Sequence, residues 1–498
     1  MALDLERLAE RAGLDSGGLL RRFEEDEAAL SGQERVVFKA AMEIADKAVN
    51  RSATAPTLVA RLVELARSVA GDPAARRVRG DGTVLGTGLR RTLSARTLHV
   101  LSELGLYEDI NSVAPVWPHA GMLILNPMLG CSFGCVYCFR ADEQRESVDW
   151  FLNGRPTQVI EEEAVIERLE RHPLFIPGLT QIGLHTATTE PFLPQVREST
   201  FRLLDLLEER GWGNDVMIIT KHFVRDKDVE RLSGYRSFQI MLFLTHNAAP
   251  AEMETMGAAP GFLARKQRTV ELLAGHPRLL AAHYYRPIVP GWNDGDEQIA
   301  EALSFGEPLG LTVIGGLKGV PHLPESSLRR GLSLPVVAKG AGEEKHFPDE
   351  LVGRILTVHR RLGLTSTIVG DQSCGLTVML SRDRGTAVPN VEAVKMYDSV
   401  PGRRPKCMAL CPADQLAACG HPPVPEPDTV RSVLARTGIP ASFRISADGV
   451  RLRSARPLSV HETESVAAHL RFAVFAQHDS GHNPNSPSGL EEDMCDDH

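Results

Sequence analysis

The stretch MLILNPMLGCSFGCVYCFR, residues 122–140, sets an apolar run, Met122 to Leu125, just ahead of three cysteines, Cys131, Cys135 and Cys138, spaced C-x3-C-x2-C. Four apolar residues closed by Asn-Pro read as a short buried strand. The glycine-containing loop that follows carries three thiols and no local fourth. Three thiolates on one short loop can hold three irons of a 4Fe-4S cube and leave the last iron open to a small ligand. The alternatives are a zinc site or three unlinked thiols. Structural zinc takes four protein ligands, often as paired C-x2-C units, so an isolated triplet fits it poorly.

Outward from this segment, short apolar runs alternate with amphipathic stretches, the pattern of repeated strand-helix units and a parallel sheet. Strands are expected at Met122 to Leu125, Gln181 to His185, Val216 to Thr220, Phe238 to Leu244, Leu279 to Tyr285 and Leu311 to Ile314. Helices are expected at Ile160 to Arg171, Val196 to Arg210 and Phe262 to Leu273. Six such units predict an α/β chain built on a partial (βα)6 TIM-type barrel over residues 119–318, with its chemistry at the carboxyl ends of the strands.

Residues 1–118 read as an N-terminal helical region. Ser31 and Glu34 form a capping-box pattern, and Leu58, Leu62, Leu65 and Val69 mark a second helix. Beyond the barrel, residues 319–425 read as a linker and a second cysteine-containing domain, with a helix near Asp349 to Leu362. Residues 426–477 read as a small α/β segment with a hairpin, Phe443 to Ile445 and Val450 to Arg453, around Asp448-Gly449, so that the C-terminal part is α+β. The polar, acidic stretch 478–498 is expected to be disordered.

Composition narrows the class. The chain has 498 residues, 43% hydrophobic content and a formal charge of -9, with 64 acidic against 55 basic residues. That charge gives no overall attraction to phosphate backbones, so nucleic acid is not the expected partner. No apolar run approaches the ~20 residues that cross a bilayer, and Met1 to Glu10 is acidic where a secretory signal would be basic, so a cytoplasmic location is expected. Eight cysteines in a chain of this length suit metal or redox chemistry better than a disulfide scaffold.

The triplet Cys131, Cys135, Cys138, with the aromatic Tyr137 just before its last cysteine, resembles the radical S-adenosylmethionine superfamily. The resemblance implies that S-adenosylmethionine chelates the open iron and is reductively cleaved to a 5'-deoxyadenosyl radical, which takes hydrogen from a substrate. In that superfamily a later strand often ends in Gly-Gly-Glu-Pro, which binds the amino group of S-adenosylmethionine. Here the corresponding segment is Thr188-Thr189-Glu190-Pro191, so Glu190 or the Thr hydroxyls are the candidate acceptors. The segments around Thr220-Lys221-His222 and Arg286-Pro287 through Asn293-Asp294 are similar to those of the spore photoproduct lyase-like branch.

Lys221 and Arg286 are cations at strand ends that could meet a carboxylate, or could brace the barrel as internal ion pairs. His185, His246 and His283 lie at or near strand ends, where a histidine is more often a hydrogen-bonded wall residue than a catalyst; of these, His185 is the catalytic candidate. Gly315 and Gly316, expected just after the sixth strand, would admit a ribose or adenine to the backbone, or form a plain turn.

A second set, Cys374, Cys407, Cys411 and Cys419, supplies the four thiolates of an auxiliary 4Fe-4S cluster, with structural zinc or a free catalytic thiol as alternatives. Cys495 lies in an acidic tail and is not expected to be a ligand. The expected partners are a flavodoxin- or ferredoxin-type reductant and a substrate that is a small natural-product precursor or, alternatively, a ribosomally made peptide. The reading from another class is a two-cluster electron-transfer or metal-sensing protein.

Overall fold

The computed structural model describes residues 115–138, 156–158, 160–186, 188–254, 259–318, 331–332, 345–346, 348–390, 407, 409–455 and 458–478. The two N-terminal helices expected from the sequence, most of residues 319–347 in the expected linker, and the tail with Cys495 lie outside the described residues.

The chain enters a nine-stranded sheet at β1 (Val116–His119), which pairs antiparallel with β2 (Met122–Leu125). A two-stranded ribbon, β3 (Met128–Leu129) with β4 (Thr157–Gln158), follows. Five more strands then join β2 in sequence order and parallel to it: β5 (Gln181–Leu184), β6 (Val216–Thr220), β7 (Ile240–Thr245), β8 (Leu279–Ile288) and β9 (Leu311–Lys318). The connections carry α1 (Glu162–Arg171), α2 (Arg197–Arg210), α3 (Asp226–Gly234), α4 (Phe262–Leu273) and α5 (Asp296–Gly306).

All six expected strands are present as an uninterrupted parallel run. The sheet is larger than six, however. It gains β1 at one edge, a parallel strand β11 (Thr367–Val369) on the far side of β9, and a short antiparallel β10 (Lys345–His346), also on β9. No barrel is closed among the described residues. β9 also runs on to Lys318, so Gly315 and Gly316 lie within the strand, where Gly316 pairs with Ile288, rather than in a turn after it.

The central strands β2, β6 and β7 are almost wholly apolar because both faces are covered. Leu123, Leu125, Ile182, Leu184, Ile218 and Leu242 face the core made with Val165 and Leu169 of α1 and Phe201 and Leu204 of α2. Their neighbours Ile124, Met217, Met241, Phe243 and Val313 face the other way, as the two-residue period of a strand requires. This second face is covered by α7 (Gln372–Arg384), which follows α6 (Asp349–Arg361) and β11 and contributes Leu376, Met379 and Leu380. The approach is close at Gly375: a β-carbon there would stand 2.4 Å from Val313 Cγ2 and 2.9 Å from Phe243 Cε1.

After α8 (Ala413–Gly420) and α9 (Pro427–Thr437), the expected hairpin forms as β12 (Ser442–Ser446) and β13 (Gly449–Ser454). A capped helix, α10 (Val460–Leu470), then leads to β14 (Val474–His478), which joins β13 in parallel. This unit is tied to the sheet through Thr180 Oγ1, 2.9 Å from the His469 ring.

The contact at Gly375 makes a direct prediction. Gly375→Val forces α7 away from Phe243 and Val313 and lowers stability by about 1–3 kcal/mol. Gly353→Ala, at an exposed α6 position with no atom within 4 Å of the added carbon, raises it by about 0.5–1 kcal/mol. Urea unfolding of the two variants checks both signs.

Candidate functional site

The cysteine loop begins at the carboxyl end of β2. Gly130 and Gly134 take φ of +89° and +74°, conformations that only glycine adopts freely, and so turn the chain before Cys131 and Cys135. The loop is packed rather than open. Phe133, Val136 and Tyr137 are buried with Met253, Phe262 and Val289, and Phe133 meets Phe262 edge-on at 5.8 Å. Val136 N–H donates to Met253 O at 3.0 Å, and Cys135 forms a backbone bridge with Glu254.

Cys135 is buried, and Cys131 and Cys138 are half-buried. Burial pushes the thiols of Cys131 and Cys135 up. The charge of Cys138 adds to this at Cys131 and that of Glu254 at Cys135, while Lys221 acts against it at both. Thiols in this state are protonated, and a metal would have to displace those protons to bind. Among the described residues the only three potential ligand atoms within 4.8 Å of one another belong to Glu161, Glu162 and Glu163. At least one pair among the sulfurs of Cys131, Cys135 and Cys138 is therefore more than 4.8 Å apart.

Lys221, at the end of β6, is an internal ion-pair residue. Its Nζ pairs with Glu254 Oε1, donates to the Tyr137 hydroxyl and lies 5.0 Å from the Tyr137 ring centre. Asn247 Nδ2 donates to the same hydroxyl at 3.3 Å. A second buried ammonium, Lys266, donates to Thr245 O and is held by the charge of Glu254. Burial lowers both lysines and raises Glu254. Glu254, Lys266 and Asn247 were not legible in the sequence, because none lies in a motif or at a regular spacing from the cysteines.

Glu190 is buried and already engaged. It accepts from Lys221 N–H at 2.8 Å, from the Thr220 hydroxyl and from Phe192 N–H at 3.4 Å, so it clips the end of β5 to that of β6. Burial is the first reason its carboxyl is pushed up. Thr188 Oγ1 donates to Asn126 Oδ1 at 3.3 Å.

The unmet polar atoms at this strand end are Thr189 Oγ1 and both ring nitrogens of His185, all enclosed and without a partner. His185 N–H donates to Leu125 O at 2.9 Å, which places the residue beside the root of the cysteine loop. Its φ is +54°, uncommon for a side chain of this kind. Burial pushes its imidazole down to about 3, so the ring is neutral. An enclosed polar atom without a partner costs about 1–3 kcal/mol, which a ligand that supplies the partner would recover. Of the other candidates, His283 lies inside β8 against His246 O at 2.7 Å, and His246 lies 3.1 Å from Glu301; both are wall residues.

Gly315 does not leave its space open. Arg286 fills it, with Cδ 2.8 Å and Nε 3.1 Å from where a β-carbon would stand. Arg286 Nη1 donates to the Tyr284 hydroxyl at 2.6 Å.

The second cysteine set also converges. Cys374 lies in the first turn of α7, and Cys407 and Cys411 are one helical turn apart, with Cys411 N–H donating to Cys407 O at 2.9 Å. Asn390 links two of the sulfurs: its backbone N–H donates to Cys419 Sγ at 3.3 Å and its Nδ2 to Cys374 Sγ at 3.2 Å. Burial and Asp371 push Cys374 up, with Cys407 and Cys411 adding to it; burial and then Cys419 and Cys407 push Cys411 up to about 12. Cys411 thus lies within electrostatic reach of Cys374, Cys407 and Cys419.

The buried histidines give this site a pH dependence. Burial holds His185 and His283 down to about 3 in the folded chain, against ~6.5 unfolded. Above pH ~6.5 neither state is protonated and nothing is gained or lost. As pH falls from ~6.5 toward 3 the unfolded chain takes up protons first, so stability falls, by at most about 1.4 kcal/mol per pH unit for each ring. The urea midpoint of the metal-free protein is expected to drop between pH 7 and pH 5, and less so in His283→Gln.

No family model and no curated protein matches the chain. It is similar to solved structures of spore photoproduct lyase, one of them with bound AdoMet and dinucleoside spore photoproduct, at 14% identity and a TM-score of 0.35, covering 48% of this chain and 72% of the other. It is also similar to SuiB of Streptococcus suis bound to S-adenosylmethionine, at 12% identity and a TM-score of 0.32, covering 56% of this chain and 57% of the other.

Proposed function

We propose that the chain is a radical S-adenosylmethionine enzyme acting on a small natural-product precursor, with a flavodoxin- or ferredoxin-type protein as electron donor. The observation that carries this reading is a packed loop presenting three thiols while the two carboxylates that sense it, Glu190 and Glu254, are spent on other partners. Such a loop can hold three corners of a cube, and among the described residues Glu190 and Glu254, the carboxylates beside it, are engaged elsewhere and do not fill the fourth. With a 4Fe-4S cluster and S-adenosylmethionine bound there, the pair would supply a 5'-deoxyadenosyl radical able to abstract hydrogen from the substrate.

The chain's own residues bind, orient and exclude water. Cys131, Cys135 and Cys138 are the metal ligands. Thr189 and His185, the enclosed polar groups without partners, are the acceptors and donors left for the cofactor's polar groups, while Glu190 acts behind them by fixing the strand end. Tyr137 is held by Lys221 and Asn247, which occupy its oxygen as donors and leave its own O–H to donate. Lys221 is a positioning residue in this scheme, paired with Glu254. The rings of Phe133, Phe262 and Tyr137 keep water from the loop.

The second cysteine set would hold an auxiliary 4Fe-4S cluster with four protein thiolates. The N–H donors of Asn390 and Gln415, the latter 3.4 Å from Cys419 Sγ, are the kind of contact that tunes such a centre.

Anaerobic reconstitution with iron and sulfide tests both centres. The parent is expected to take up about eight irons, and Cys407→Ala/Cys411→Ala about half of that while still cleaving S-adenosylmethionine to 5'-deoxyadenosine under dithionite. Cys131→Ala is expected to abolish cleavage. A parent that binds zinc at both sites, or that forms no 5'-deoxyadenosine, belongs to the class of metal-binding or electron-carrying proteins. Unchanged iron content in the double variant removes the auxiliary centre.

A further inference from the structure

We propose that Arg286 anchors a carboxylate of the substrate, at the carboxyl end of β8 and beside the first turn of α7. The inference deepens the radical S-adenosylmethionine reading and rests on it for the identity of the bound molecule as substrate.

Arg286 is placed with care. Its stem lies over Gly315 of β9, where any β-carbon would stand 2.8 Å from Cδ, so glycine is needed for the stem to lie against the sheet. Nη1 donates to the Tyr284 hydroxyl at 2.6 Å, and the guanidinium carbon stands 5.3 Å from the Tyr284 ring centre. The Tyr284 hydroxyl in turn donates to Gln372 Oε1 at 3.2 Å, and Gln372 Nε2 reaches Met217 Sδ at 3.0 Å. These contacts fix the head group between the sheet and α7.

They do not neutralise it. Lys221, the other cation among the strand-end candidates, is paired with Glu254. Arg286 has no carboxylate partner among the described residues, and its remaining N–H donors are neither bonded to the protein nor enclosed. A half-buried guanidinium, tethered on one side and open on its fork, is matched by a planar monoanion that accepts two parallel N–H bonds. Gln372 is also two residues before Cys374, so a carboxylate held here lies between the strand ends and the second cysteine set.

The thermal midpoint of the reconstituted parent, Arg286→Gln and Arg286→Lys is measured against succinate, its neutral diamide succinamide, and inorganic phosphate, with and without saturating S-adenosylmethionine. Succinate is expected to stabilise the parent where succinamide does not. Its apparent affinity is expected to fall at least about tenfold in Arg286→Gln and less in Arg286→Lys, which keeps the charge but loses the fork.

Equal succinate responses in parent and Arg286→Gln, or none in the parent, overturn the anchor. A preference for phosphate overturns the carboxylate assignment. Saturating S-adenosylmethionine is expected to leave the succinate affinity of the parent within about twofold. If it abolishes succinate binding, the anion seat belongs to the cofactor's own carboxylate and the substrate role fails. A parent that yields no 5'-deoxyadenosine sinks the enzyme reading instead, and the succinate comparison still decides whether the anion seat exists.

Discussion

The pairing of Lys221 with Glu254 behind the cysteine loop is the contact on which the rest of the site depends. Removing two charges from water costs several kcal/mol per ion, and such a pair is kept only where its geometry and extra hydrogen bonds offset that cost. Here the pair joins three parts of the chain: Lys221 ends β6, Glu254 follows β7 and is bridged to Cys135, and the ammonium touches Tyr137 within the loop itself. The loop is therefore held from both sides. The same ammonium favours the thiolate form of Cys131 and Cys135 against the burial that opposes it.

Helix α7 ties the second cysteine set to the sheet. It fills the sheet face that the crossover helices leave bare, with Leu376 and Met379 against Phe243 and Val313, and it carries Cys374 in its first turn. A shift of α7 on the sheet moves both Cys374 and Gln372, and through Tyr284 it moves Arg286. The interior of such a packed layer is dense and yields little, so the spacing between the sites is set by side-chain volume rather than by loops.

The parallel run was legible because strands buried on both faces read as continuous apolar segments, and the cysteine triplet because its ligands are local. What the sequence hid was contact at a distance. The strand β11 is three residues long and is recognised only by its pairing with β9. The continuation of β9 through Gly315 and Gly316 was masked by two glycines that usually break a strand and here make room for Arg286. Lys221 and Arg286 looked alike as strand-end cations, and only their partners separate them. Glu190 looked available and is occupied, while Thr189 and His185, one and five residues before it, carry the unmet atoms.

The antiparallel hairpin of β1 on β2 has a consequence for self-association. β1 ends the sheet among the described residues, and Pro118 faces Leu123 at a position between hydrogen-bonded pairs, so its nitrogen points outward. An added strand from another molecule would look for an N–H there and find a ring. One imino acid thus removes an N–H that an added strand would use on β1.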